Sequence, residues 1–250
     1  MNYRKWQYAV VMGVAAALTA CGGNSDEDSP LPGVGGADGV YEGTTDDNRE
    51  TIGVILPNGE YYFIYTDSIS NDQISGFLQG TGIDNNGSFT STNGTNFWFE
   101  GDETNPVTLS ASYRHQRSLA GSMTSAGASN TFTSTYWPAS DRTPLIQAIS
   151  GTYSGLLRDS SGFPLISMSV ASNGAITGTT GTGCGLSGRA ASINGINAYA
   201  ISLAYSGATC SQNRVSVTGV AIYDREEGGL VLAVSNAAKS YGAVFVGIKQ

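Results

Sequence analysis

The sequence predicts an all-β chain of antiparallel up-and-down strands in two duplicated modules, each closing as a small β-barrel, with a β-sandwich as the alternative packing. Three observations carry this reading. From Val40 onward, short runs alternate apolar and polar residues with the period of half-buried strands. Five Asn-Gly dipeptides, beginning at Asn58, Asn86, Asn93, Asn173 and Asn194, supply residues that tolerate the positive φ of tight hairpin turns. Finally, Gly39-Val40-Tyr41-Glu42-Gly43 recurs 112 positions on as Gly151-Thr152-Tyr153-Ser154-Gly155.

The first module, 39–137, reads as strands near 40–45, 51–56, 60–66, 74–82, 87–92, 95–100, 107–113, 117–124 and 131–137. The offset of 112 also carries Ile74-Ser75-Gly76 onto Leu186-Ser187-Gly188, 118–123 onto 230–235 and 131–137 onto 243–249, which defines a second module, 151–250. Between them, 138–150 reads as a linker. Thr143 is placed to cap, and Pro144 to begin, a short helix or 3₁₀ turn that Gly151 stops. Strands of six or seven residues are too short for a transmembrane barrel, whose strands need about 9–11.

Composition limits the chemistry. The 250 residues include 34 Gly and only 13% charged residues, against a typical quarter, while 40% hydrophobic residues leave material for a core. A formal charge of -8 argues against nucleic acid as a partner, because phosphates need a basic face. A single His and three Cys argue against a His-ligated metal enzyme, so neither a metal nor another cofactor is expected.

Residues 1–20 carry a basic head, Arg4 and Lys5, and an apolar run, Ala9 to Ala20, too short to span a bilayer of about 30 Å. The run ends in Leu18-Thr19-Ala20-Cys21 followed by Gly22-Gly23, which resembles the lipobox of bacterial lipoprotein precursors. The resemblance implies a signal peptide cleaved before Cys21, a lipid thioether on its sulfur and acylation of the new amino terminus. Several acyl chains anchor stably where one does not. Gly22 in place of Asp implies, in Gram-negative lipoproteins, a bacterial envelope location at the outer membrane. Loss of Arg4 and Lys5 would leave 10 basic and 20 acidic residues, net -10, so the lipid rather than the protein surface would hold the membrane. Residues 21–38 then read as the acylated Cys and a flexible tether rich in Gly, Pro and acid.

With Cys21 lipidated, Cys184 and Cys210 remain as an even pair in an oxidising compartment and are expected to form a disulfide. Chemistry beyond this is sparse. His115, between Arg114 and Arg117, reads as part of a hairpin turn, with no GxSxG turn to make it a hydrolase base. The acid pairs Asp46-Asp47, Asp102-Glu103 and Glu226-Glu227 lie in turn-like stretches, and neither 84–87 nor 224–227 matches a calcium-loop pattern. Aromatic clusters at 61–65 and 97–99 place rings on both faces of their strands, so something must cover the outside: the other module, or a partner protein or glycan. Tyr62 and Trp98 are the candidate binding residues.

The whole resembles Gram-negative lipoproteins that carry β-barrel or calycin-like domains on an acylated Cys and a tether. The transferrin-binding type of surface lipoprotein is a distant comparison, with no motif matched residue by residue. The expected function is non-enzymatic: two β modules presented at the envelope to bind a protein or other ligand. A lipocalin-like carrier with an internal cavity is the alternative, and a carboxylate-based hydrolase the third reading.

Overall fold

The computed structural model describes residues 35–208 and 210–250. The expected targeting segment, Cys21 and the expected tether up to residue 34 lie outside the described residues. The first barrel comprises β1 (Gly39–Thr45), β2 (Glu50–Ile55), β3 (Glu60–Thr66), β4 (Ile74–Thr81), β5 (Ile83–Asn85), β6 (Ser88–Trp98), β7 (Glu103–Arg114), β8 (Ser118–Ser125) and β9 (Ala128–Tyr136). Eight of these close a ring in chain order, with β4 pairing β6 and β9 pairing β1, while β5 pairs only with the start of β6. The second barrel comprises β10 (Gly151–Arg158), β11 (Leu165–Val170), β12 (Ala175–Thr180), β13 (Gly185–Ser192), β14 (Ala198–Ser206), β15 (Ser216–Asp224), β16 (Gly229–Ser235) and β17 (Gly242–Lys249). It too is an antiparallel meander, closed by β17 on β10.

Asn93-Gly94 departs from its expected role. It lies inside β6 rather than at a hairpin, and the register with β7 shifts between Ser91 and Gly94. The Asn93 amide oxygen accepts bonds from the Thr81 N–H (3.0 Å) and the Ser91 hydroxyl (3.1 Å). A Cβ at Gly94 would stand 2.3 Å from the Tyr61 hydroxyl oxygen. This bulge bends one long strand so that its first half pairs β5 and its second half β4.

The two barrels repeat more than connectivity. Tyr41 and Tyr153 are both fully buried, and each hydroxyl donates to the carbonyl four residues earlier, Ala37 at 2.9 Å and Ile149 at 2.8 Å. A Cβ on Gly43 or Gly155 would come within 2.0 Å of a carbonyl oxygen on the closing strand, that of Thr133 or Val246. The offset drifts in the last strand. Phe132 packs inside the first barrel, whereas Val244, 112 positions on, faces outward and Phe245 takes the inner place. A slip of one residue exchanges the faces of a strand, so aligning 131–137 with 243–249 is one step out.

Both interiors are occupied by side chains. Tyr61, Phe63, Phe89 and Phe132 fill the first barrel; Tyr153, Tyr199, Leu232 and Phe245 help fill the second. These residues leave the barrels built as packed cores rather than the small-residue, open-mouthed interior that a lipocalin-like carrier requires.

A third core lies between the barrels. On β3, Tyr61, Phe63 and Tyr65 point inward while Tyr62 and Ile64 point outward, and the outward pair joins Phe77, Phe97 and Phe99 against Ala198, Val220, Ala233 and Val244 of the second barrel. Phe77 and Phe97 are stacked, 4.5 Å between centroids and 11° between planes. Beside this core, the Gln79 amide oxygen accepts from the Ser235 hydroxyl (2.5 Å) and the Lys239 ammonium (2.6 Å), so these three polar groups are satisfied by one another across the two barrels.

The connecting segment is a joint anchored at three buried residues, Ala139, Ser140 and Ile149. A 3₁₀ turn, Pro138–Asp141, places Ser140 where its hydroxyl accepts from the Val40 N–H (2.7 Å) and its carbonyl accepts from the Asn197 N–H (2.8 Å), one bond to each barrel. The helix α1 (Ile146–Ile149) begins later than the sequence suggests. Its N-cap is Leu145 without a side-chain cap, so Thr143 caps nothing. The Pro144 and Leu145 carbonyls are instead engaged by the Ser192 and Tyr199 hydroxyls, which draw this stretch onto the second barrel in extended form. Cys184 and Cys210 form a disulfide, 26 residues apart in the chain. Closing a loop of that length contributes about 3.5 kcal/mol in the chain-entropy model.

The interface makes one position sharply intolerant. A Cβ on Gly242 would lie 2.6 Å from Phe97 Cδ1 and 2.8 Å from Phe77 Cε1, against rings that are stacked and cannot both retreat. Gly242→Ala is expected to destabilise the protein by about 1–3 kcal/mol, the usual cost of overpacking, as a lowered urea midpoint; an unchanged midpoint would show that the rings yield freely.

Candidate functional site

Where the barrels are not in direct contact they leave a cleft of about 1230 Å³. Strand alternation builds its walls. On β1, Tyr41 and Gly43 face the barrel interior, so Glu42 and Thr44 face out; on β2, Glu50 and Ile52 do the same. Thr133 and Thr135 of β9 and Ile64 of β3 complete the first wall. The second barrel supplies Leu156 and Arg158 of β10, Val231 of β16, and Val244 and Val246 of β17. Ile64, Val231 and Val244 also belong to the interbarrel core, so the floor of the cleft backs directly onto that core. Trp137 and Pro138 line it where the joint begins, and Asn71, Asp72 and Phe163 line it on the loops.

Two charged groups stand out against these apolar walls. Burial pushes the Glu42 carboxyl above its ordinary value of 4.5, and the nearby carboxylates Asp224 and Glu50 raise it further. Among the described residues no donor or cation is bonded to the Glu42 side chain. Arg158, by contrast, is held: its Nε donates to the Ile74 carbonyl at 3.2 Å, and its guanidinium lies 4.9 Å from the Phe163 ring centroid and 5.8 Å from that of Phe99. It is a strut from the second barrel to the first. Beyond it, Phe163 (55% exposed) and Leu165 (64%) continue the apolar surface outward.

The two candidate binding residues are placed differently from each other. Tyr62 is 2% exposed, covered by the second barrel, and its hydroxyl donates to Glu60 at 2.5 Å while accepting from Gln79 Nε2 at 2.9 Å. Its ring is therefore part of the joint rather than an outer docking surface; burial and its Glu60 partner raise its phenol. Trp98, last in β6, is half-buried, and its indole N–H donates to Glu100 at 3.1 Å. The structure does not bring these two residues together in the cleft. His115 lies in the β7–β8 turn, 2.9 Å from the Gly36 carbonyl, while Asp84 accepts from the Ala37 N–H at 2.7 Å. Both groups thus hold the segment that leads into β1. Among the described residues there is no group of three or more His, Cys, Asp or Glu that could hold a metal ion.

Sequence reasoning passed over Glu42 because it sits inside the repeated motif, between the Tyr and the second Gly. Its counterpart in the second copy is Ser154, a small polar residue. That difference of charge, within a motif whose Gly, Tyr and Gly are kept, is the available signal.

No family model and no curated protein matches the chain. Among solved structures, the isotype 1 transferrin binding protein B of serogroup B Neisseria meningitidis is similar over 80% of this chain and 52% of that one, with 12% identity and a TM-score of 0.30. The chain thus spans about half the length of that protein. A Bacteroides fragilis protein described as an outer membrane protein is similar over 86% of this chain and 97% of that one, with 16% identity and a TM-score of 0.26.

The environment of Glu42 sets a pH dependence. A carboxyl whose pKa is raised on folding binds its proton more tightly in the folded chain, so its charged form opposes folding above the raised value, and this opposition fades as pH falls through that value toward 4.5. Glu42→Gln is therefore expected to unfold at higher urea than the parent at neutral pH, with the difference vanishing below pH 4.5; a less stable variant at neutral pH would mean that the carboxylate has a favourable partner.

Proposed function

We propose that this protein is a non-enzymatic envelope lipoprotein that binds its ligand in the cleft between two packed barrels. The observation that carries the reading is the cleft itself: the interiors are filled, and a cleft with apolar groups on both sides lies at the seam where the two outer walls part. At about 1230 Å³ it exceeds the usual range for small-molecule sites, about 300–1000 Å³, and suits a segment of a larger partner. The exposed rings and aliphatic groups of Phe163 and Leu165 would extend contact beyond the cleft. On this reading a lipidated Cys21 holds the chain at the membrane, signal residues 1–20 having been removed, and the modules 39–137 and 151–250 act as one binding body.

Two measurements test this. Thr44 and Thr135 are exposed residues on the cleft wall, so Thr44→Trp with Thr135→Trp should fill it without disturbing a core. The parent should enhance the fluorescence of an apolar dye and the double variant should lose most of that signal; equal signals from both would place binding elsewhere. Separately, Cys21→Ser should release the protein from the membrane fraction and abolish labelling by a radioactive fatty acid, and retained labelling would remove the lipid anchor from the reading.

A further inference from the structure

The cleft is apolar in its walls but unbalanced in its charge. Glu42, Glu50 and Asp72 line it against a single guanidinium, that of Arg158, which is already bonded to the Ile74 carbonyl and lies over Phe163. Glu42 is where this imbalance is sharpest: the charges that act on it, Asp224 from across the joint and Glu50 from the next strand, are both negative. A half-buried carboxylate flanked only by like charges gains most from an arriving cation, because the incoming group relieves repulsion as well as forming a bond in a medium less polar than water. The chain as a whole is acidic, net -8, so a cationic partner is also drawn in from a distance, while an anionic lipid or a second copy of this acidic chain is opposed.

From these observations we infer that the cleft receives a polypeptide segment in which a Lys or Arg is flanked by apolar side chains, the cation meeting Glu42 and the apolar groups lying on Ile52, Leu156 and Val246. The inference rests on the cleft being the binding site and adds the chemistry of its occupant. A basic side chain suits this place better than a small amine, since its aliphatic stem covers apolar wall while its head reaches the carboxylate. The length of the cleft, from Trp137 at the joint to Phe163 on the loops, gives flanking side chains surface on both sides of that cation.

The test uses the full chain and three capped peptides of one sequence, Leu-Phe-X-Leu-Val, with X as Lys, Gln or Glu, measured by calorimetric titration. The Lys peptide is expected to bind about tenfold more tightly than the Gln peptide, equivalent to about 1.4 kcal/mol, and the Glu peptide to bind more weakly still. Glu42→Gln should remove the advantage of Lys over Gln while leaving the Gln peptide unchanged. Glu103→Gln, the same charge change at an exposed residue outside the cleft, should leave all three affinities as they were. Thr44→Trp with Thr135→Trp should weaken every peptide. Equal affinities for Lys and Gln peptides, both lost in the doubly filled cleft, would overturn the cationic specificity and leave the cleft reading standing. A Lys preference that persists in Glu42→Gln would assign it to general charge and overturn the inference. Binding that survives in the filled cleft would overturn both, as would saturable binding to neutral phosphatidylcholine vesicles that displaces the Lys peptide.

Discussion

The structure depends on one constraint: a strand in a small closed barrel has two faces, and in this chain both faces of β3 and its neighbours are apolar. Tyr61, Phe63 and Tyr65 fill the barrel, which leaves Tyr62 and Ile64, with Phe77, Phe97 and Phe99 beside them, facing water unless something covers them. Burying a ring or branched aliphatic side chain contributes about 1.5–3 kcal/mol, so covering this face outweighs the freedom lost in fixing one barrel on the other. The second barrel meets it with small and branched residues, Ala198, Val220, Ala233 and Val244, and with Gly242, whose missing Cβ lets the backbone come up to the Phe77–Phe97 stack. Large rings on one side and small residues on the other is how an interface interdigitates at interior density.

Much of this was written locally in the sequence. Alternation at 60–66 gave β3, and the doubled aromatic faces required a cover. Four of the five Asn-Gly dipeptides lie between strands, at 58, 86, 173 and 194, yet only Asn86 and Gly87 both adopt positive φ. The fifth became a bulge because its partner strand changes partway along β6, which no local pattern reports. Conversely the β8–β9 hairpin turns on Ala126 (φ 50°) and Gly127 (φ 82°), a conformation that costs Ala about 1–2 kcal/mol and so leaves no compositional mark. Thr143 and Pro144 carry the right residue types for a helix start, but hydroxyls from Ser192 and Tyr199 take the carbonyls there, and tertiary contacts decide.

The cleft was not legible at all, for a reason of geometry. Its walls consist of outward residues from strands far apart in sequence, such as Glu42, Thr135, Leu156 and Val246, none of which forms a motif. What the sequence does hold is the repeat, and repeats give an internal reference. Tyr41 and Tyr153, Gly43 and Gly155 are retained because each serves the barrel: a hydroxyl bonded four residues back, and a backbone that must pass close to the closing strand. Glu42 and Ser154 are free of those duties, so a difference there reflects what each outer wall faces. One faces the cleft and its acids.

That the cleft stays open follows from how its ends are fixed. At one end the chain itself crosses from β9 to β10, and Ser140 is bonded to Val40 of the first barrel and Asn197 of the second. At the other, Arg158 reaches across to the Ile74 carbonyl with its guanidinium beside two rings. Behind the floor, the interbarrel core and the Gln79–Ser235–Lys239 bonds oppose any sliding of one barrel over the other. Walls pinned at both ends and along the base cannot close to meet their own apolar groups, so Ile52, Leu156 and Val246 remain partly open to solvent. A site of this kind spends little ordering energy when a ligand arrives, and its discrimination rests on fit to a fixed width and on Glu42, a cleft carboxylate to which no donor is bonded among the described residues.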